Sequence, residues 1–200
     1  MMAMADWSKT YKSEFFSRPT LAVARDLLGA QLCRRFSDGT LIMAPIVEVE
    51  AYTADDPACH AFRGQTPRCQ VMFGPAGRAY VYFIYGMYFC LNVVTEEEGV
   101  PGAVLIRALG VSGGDGPGKL CRQWQITRQH NGASLMETSA DLWIAQGDCA
   151  IEPEAIGQSS RVGISVAQER LWRFFLKDNP HLSVSQVKPH VRKTRKVEAR

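Results

Sequence analysis

The sequence predicts an α+β fold in one domain, built mainly from antiparallel strands with a few helices packed against them. Three observations carry this. Residues 31–51 read as two strands joined across Ser37-Asp38-Gly39. Residues 79–94 read as two more around a tight turn near Gly86, with strand-favouring aromatic and β-branched residues on both sides. Clear helical signals are limited to two short segments.

In chain order, residues 18–29 form a helix: Pro19 and Thr20 start it, Leu21, Ala24, Leu27 and Leu28 make its apolar stripe, and Gly29 stops it. A hairpin follows, 31–36 and 41–51. In its second strand Val47, Val49 and Ala51 point one way while Glu48, Glu50 and Tyr52 point the other. Residues 52–77 are irregular and polar, punctuated by Pro57, Gly64, Pro67, Gly74, Pro75 and Gly77; a loop that long in a compact domain is usually functional or mobile. After the aromatic run come a short strand at 104–109, a glycine-rich loop at 113–118 and a short helix at 119–126. The remainder is mixed strand and turn.

The 200 residues suffice for one sizeable core, and the charged and apolar fractions are those of an ordinary folded protein. The domain is expected to span 1–200, with a core of about 14–187 and a basic tail at 188–200. A net charge of +3 discriminates little, but Lys188, Arg192, Lys193, Arg195, Lys196 and Arg200 crowd that tail against Glu198 alone. Such a tail adds affinity for a polyanion, or is merely a frayed terminus. Six cysteines are scattered without a C-x-x-C pair and read as reduced, mostly buried thiols. Cys59, His60 and Cys69 fit no common zinc spacing. The first residues lack a charged segment leading into an apolar run, and no stretch approaches a membrane span.

Several residues could carry chemistry. Glu48 and Glu50 are same-face neighbours about 7 Å apart, beside Tyr52 and at the mouth of the long loop. Such a pair alone is more often the solvent face of an antiparallel strand. Tyr80, Tyr82, Tyr85 and Tyr88 are too many phenols to bury with unpaired hydroxyls, so several should be exposed or line a cavity. Near a turn tip they could stack on bases or wedge into a duplex, or simply pack a sheet against a helix. His60 could be a structural or a site histidine. Arg107, flanked by Leu105, Ile106, Ala108 and Leu109, should be partly buried and need an anionic partner, for which Glu50 is attractive. Lys119 opens a helix after a glycine-rich loop, where backbone N–H groups favour an anion, but the loop is no Walker sequence.

These segments together resemble the alkyladenine (3-methyladenine) DNA glycosylase family. The resemblance runs from about Glu14 to Ser183 in one unbroken order. It is carried by Ile46-Val-Glu-Val-Glu-Ala-Tyr52, His60 followed by Arg63-Gly-Gln-Thr-Pro-Arg68, Val71-Met-Phe-Gly-Pro75 and Tyr80-Val-Tyr-Phe-Ile-Tyr-Gly-Met-Tyr-Phe-Cys-Leu-Asn92. Leu105-Ile-Arg-Ala108 and Gly116-Pro-Gly-Lys-Leu-Cys121 continue it, with weaker matches in Arg161-Val-Gly-Ile164 and Trp172-Arg-Phe174. The resemblance implies a curved sheet with packed helices and a protruding β-hairpin that inserts into DNA. It makes Glu50 the water-activating base and Arg107 its partner in holding that water. Tyr52 and Tyr82 resemble plates that sandwich an extruded base, His60 hydrogen-bonds from the pocket wall, and Asn92 discriminates against ordinary guanine. Tyr85 resembles the wedge, with Met87 and Tyr88 beside it, and Lys119 a phosphate contact. Val49, where many members have Thr, and the 53–59 loop depart from the family pattern.

The implied activity is a monofunctional hydrolase that removes alkylated or deaminated purines flipped out of duplex DNA, opening base excision repair. The alternative is a catalytically silent lesion or nucleic-acid binding module on the same scaffold. The resemblance adds no Schiff-base lysine and implies no metal or organic cofactor. The expected partner is double-stranded DNA containing damaged purines, with no membrane. A monomer is expected, cytoplasmic at a bacterial nucleoid or nuclear in a eukaryote.

Overall fold

The computed structural model describes residues 7–148 and 150–184; the basic tail and Cys149 lie outside them. Two short helices lead in, α1 (Ser13–Phe16) and α2 (Thr20–Asp26). Pro19 caps α2, its stripe buries Val23, Ala24 and Leu27, and Gly29 leaves the helix at φ 84°, a conformation that disfavours any side chain.

The sheet has eight strands: β1 (Gln31–Arg35), β2 (Leu41–Tyr52), β3 (Ala79–Ile84), β4 (Tyr88–Thr95), β5 (Gly102–Leu109), β6 (Leu142–Ala145), β7 (Ile156–Ser159) and β8 (Arg173–Leu176). Its main order is β3-β4-β5-β2-β1-β6, with β8 between β2 and β7, and every pairing is antiparallel. β2 is long enough to serve two neighbourhoods. Residues 41–45 pair with β1, while 46–52 pair with β5 on one edge and, at Glu48–Glu50, with β8 on the other. Helix α3 (Pro117–Gln123) packs on β4 and β5. It begins two residues before the sequence signal because Pro117, which needs no N–H partner, takes a first-turn position.

Strand parity divides the sheet into two chemically different faces. Val81, Leu91, Val93, Val104, Ile106, Val49, Ala51 and Phe174 join α2 and α3 in the main core. The opposite face carries Tyr80, Tyr82, Cys90, Asn92, Leu105, Arg107, Glu50, Tyr52 and Arg173. The 52–77 loop closes over part of it, burying Cys59, Ala61, Cys69 and Met72 against Tyr80, Val94 and Ala103. The predicted alternation of β2 holds from Glu48 onward but not at Val47. Ile46 is the residue in the core cluster, and irregular register around Glu48 shifts the pattern between them. This second face is not solvent: Glu48 and Glu50 are each 0% exposed. β8 and the 160–166 and 181–184 segments cover what an isolated hairpin would leave to water.

Candidate active site

Five strands place one row of side chains across the covered face: Tyr80 opposite Asn92, Asn92 opposite Leu105, Leu105 opposite Glu50, and Glu50 opposite Arg173. Residues distant in sequence therefore become neighbours through register alone. A cavity of about 690 Å³ opens on this row. Glu50, Arg107, Tyr52, Tyr82, His60 and Asn92 all line it, with Tyr85, Tyr88 and Lys119 at its boundary as well. That volume is in the range of pockets that enclose a small heterocyclic ligand.

Arg107 owes its aim to a local irregularity. Ala108 pairs with Glu48 and Ile106 with Val49, so Arg107 is the extra residue between them, as in a β-bulge. Its Nε reaches Glu48 Oε1 at 2.9 Å and its Nη1 reaches Glu50 Oε1 at 3.3 Å. The expected anionic partner is thus present, but the guanidinium is shared and its shorter contact is to Glu48.

Both oxygens of Glu50 are engaged. Oε1 accepts from the Val162 backbone N–H at 2.6 Å, and Oε2 accepts from the Tyr52 hydroxyl at 2.8 Å. Burial pushes the Glu50 carboxyl above the usual carboxylate range, although Arg107, Val162 and Tyr52 pull the other way. A raised carboxyl in a cavity has the character of a general base. Burial and the neighbouring Glu50 charge raise the Tyr52 phenol, so Tyr52 keeps its proton and donates it in this hydrogen bond.

His60 Nδ1 and the Tyr80 hydroxyl lie 2.8 Å apart, and the His60 ring meets Tyr82 edge-on at 4.6 Å between centroids. Burial, aided by the nearby Arg68 charge, lowers the His60 pKa to about 4, so the ring is neutral near neutral pH and its two nitrogens play opposite roles. Asn92 is buried and donates from Nδ2 to the Tyr80 carbonyl at 2.9 Å. The four tyrosines of the aromatic run separate as their hydroxyls require. Tyr80 is buried and paired, Tyr82 and Tyr88 are half-buried at the cavity, and Tyr85 is 75% exposed.

Tyr85 occupies the β3–β4 turn with φ 53°, followed by Gly86 at φ 68°; left-handed backbone at both central positions suits a tight hairpin turn. Met87, 65% exposed, shares this tip. Tyr88 does not: it packs on α3, where a Cβ added to Gly118 would come within 2.8 Å of its ring. Lys119 pairs with Asp115 at 2.6 Å on the surface.

The site also contains groups to which the sequence reading gave no role, although Arg161 and Arg173 lie within its weaker family matches. Asp56, in the atypical loop, and Arg161 are both fully buried and joined by a two-pronged ion pair. The Arg161 guanidinium also stacks 4.6 Å from the Tyr52 ring centre. Arg173 and Ser183 both bond Glu48. The signal that flagged Arg107, a charge embedded among apolar residues, also marks Arg173 between Trp172 and Phe174. Their partners lie 105 and 125 residues away for Arg161 and Arg173, beyond any local pattern. Among the described residues no group of His, Cys, Asp and Glu is arranged to hold a metal, and no helix is long and apolar enough to cross a membrane.

A family profile described as methylpurine-DNA glycosylase matches residues 14–180. A protein of Synechococcus sp. carrying the provisional name 3-methyladenine DNA glycosylase is 44% identical over 90% of this chain and 99% of its own length. Proteins of the same provisional name from Wolbachia pipientis subsp. Culex pipiens and Methanocella arvoryzae are 47% and 44% identical, over 86% and 85% of this chain and 93% and 94% of theirs. With matches of that extent, end to end over the strands that build the cavity, the chain belongs to the methylpurine-DNA glycosylase family.

Proposed function

We propose that this chain is a monofunctional DNA glycosylase that hydrolyses the N-glycosidic bond of alkylated or deaminated purines flipped out of duplex DNA, initiating base excision repair. The observation that carries the reading is the buried carboxylate Glu50 beside Arg107, inside an aromatic-lined cavity, in a chain of this family. Glu50 takes a proton from water as the water oxygen bonds the anomeric carbon. The bond to the base breaks, and its electron pair leaves with the purine. Arg107 holds that water with Glu50.

Tyr52 and Tyr82 sandwich the extruded base, and a cationic methylated purine gains about 0.5–2 kcal/mol from each good aromatic contact. His60 hydrogen-bonds the base from the wall, and Asn92 crowds the exocyclic amine of guanine. Tyr85 fills the vacated stack with Met87 beside it, Tyr88 borders the hairpin, and Lys119 exchanges Asp115 for a backbone phosphate. The protein acts as a monomer on double-stranded DNA. A location at the bacterial nucleoid fits relatives from Synechococcus and Wolbachia.

The test is base release from a panel of lesion-bearing duplexes, with wild type and Glu50→Gln. Release that requires Glu50 supports the proposal. Lesion binding without release by the wild type would leave a silent binding module.

A further inference from the structure

Glu48 is fully buried and takes no direct part in this chemistry, yet its carboxylate is saturated. Oε1 accepts from Arg107 Nε at 2.9 Å, Arg173 Nε at 2.7 Å and the Ser183 hydroxyl at 2.7 Å, and Oε2 accepts from the Ser183 backbone N–H at 2.6 Å. The Ser183 oxygen also accepts from Arg107 Nη2 at 3.0 Å. All three guanidinium nitrogens of Arg107 are therefore occupied: Nε by Glu48, Nη2 by Ser183 and Nη1 by Glu50. Three partners in different directions define the plane of the group. Without Glu48, an arginine this close to a second carboxylate would turn to engage it in the two-pronged geometry such pairs favour.

We infer that Glu48, held by Arg173 and Ser183, is a positioning residue that claims the Nε side of Arg107 and leaves only Nη1 to reach Glu50, so that the base is not locked in a bidentate ion pair. The inference rests on the reading of Glu50 as the base. The cost of burying Glu48 is offset by two arginines and a serine, and two of these three partners, Arg107 and Ser183, also bond each other. The charges follow the same division: Arg173 and Ser183 outweigh burial and hold Glu48 below its ordinary range, while Glu50 stays above it. Glu50 is faced by Tyr52 and Glu48 from β2, Arg107 from β5, Arg173 in register from β8, Tyr82 and Cys90 from β3 and β4, and Arg161 and the Val162 N–H from the 160–166 segment. Glu48 therefore acts on Glu50 in two ways, raising it by its own charge and holding Arg107 by Nε.

The test follows Glu50 itself, by NMR titration of its carboxyl carbon in wild type, Glu48→Gln and Ser183→Ala. In parallel, single-turnover release is measured against pH on a dimethyl-sulfate-treated duplex. In Glu48→Gln the Glu50 titration and the acid limb of release move together to lower pH by about one pH unit, and the plateau rate falls about tenfold. Loss of the Glu48 charge by itself lowers Glu50, so the deciding variant is Ser183→Ala, which keeps that charge and the backbone bond to Glu48 and moves both in the same direction by less. A Glu50 titration unchanged in folded Ser183→Ala overturns the inference. A titration that moves in a protein releasing no base upholds the clamp and sinks the glycosylase reading instead.

Discussion

Glu48 and Glu50 share the Arg107 guanidinium, at 2.9 and 3.3 Å, yet the fold drives their ionisation in opposite directions. Both are fully buried, and burial alone would raise both. Glu48 is surrounded by Arg173 and the two Ser183 donors as well as Arg107, and its charge is the favoured form. Glu50 has one long ion-pair contact, a backbone N–H and a phenol, which do not fully offset desolvation. One carboxylate is thus committed to structure and the other left with proton affinity to use.

Exchanging each for its neutral isostere should separate the two roles. Glu50→Gln keeps lesion binding and loses base release, because an amide cannot take a proton from water. A carboxyl with a raised folded pKa contributes stability that is present below its unfolded pKa and lost as pH rises through the folded value. The permanently neutral amide escapes that loss, so Glu50→Gln melts no lower than wild type near neutrality. Glu48 is the reverse case: its contribution is present above the unfolded pKa and lost as pH falls through the folded one. Glu48→Gln should cost about 3–5 kcal/mol near neutrality, a gap that closes in acid. Thermal melts at several pH values, beside gel-shift and release assays, check both.

On methylated purines that already carry positive charge, the leaving group needs no proton, and the rate should report the base alone. Release then rises with pH as Glu50 ionises and levels off above it. Because Glu50 sits above the ordinary carboxylate range, the rise occurs at higher pH than for an exposed glutamate. A rate flat down to pH 4 would exclude a raised carboxyl as the base.

Tyr85→Ala should impair flipping rather than bond cleavage. An exposed ring at a hairpin tip can occupy the gap left by an extruded base, a gap whose opening costs a few kcal/mol. Its loss should hurt most where the lesion still pairs well and least in a mismatch. Tyr82→Ala differs, since a pocket wall is needed whichever context delivers the base. Single-turnover rates on paired and mismatched hypoxanthine duplexes compare the two. Equal losses for Tyr85→Ala in both contexts would move the wedge to Met87, the other exposed tip residue.

Asp56→Asn should act at a distance from the base. It breaks the buried pair with Arg161, leaving a cation against the Tyr52 ring without its counter-charge. Arg161 directly precedes Val162, whose N–H binds Glu50, and also donates to the Ala51 carbonyl on β2. The expected result is a stability loss of about 3–5 kcal/mol, with weaker release in the protein that remains folded. Calorimetry and release on one preparation check it; wild-type stability would show that the pair anchors nothing.

Much of the fold was legible locally, for definite reasons. Pro19 and Gly29 bracket a helix because one lacks an N–H and the other tolerates φ 84°. Gly39 and Gly86 turn the chain at the left-handed φ that glycine tolerates, while Tyr85 is held at φ 53° against its own backbone preference. Alternation in β2 puts Glu48, Glu50 and Tyr52 on one face before any partner is known, and the apolar neighbours of Arg107 announce a buried charge that needs an anion. The family motifs add the identities of the pocket residues in one unbroken order.

What the face would be used for was decided by the tertiary structure. A strand pattern distinguishes two faces but not which is covered, and E-V-E reads naturally as solvent-facing until β8 and the 181–184 segment bury it. Register brings Tyr80, Asn92, Glu50 and Arg173 into one row, and register depends on strand pairing across long stretches of chain. The bulge that aims Arg107 exists only as a mismatch between β2 and β5. The pairing of Asp56 with Arg161, and of Glu48 with Arg173 and Ser183, spans more than a hundred residues in each case. Local sequence determines what a residue prefers; which charge meets which, and how much water is left between them, arises only when separate elements are packed together.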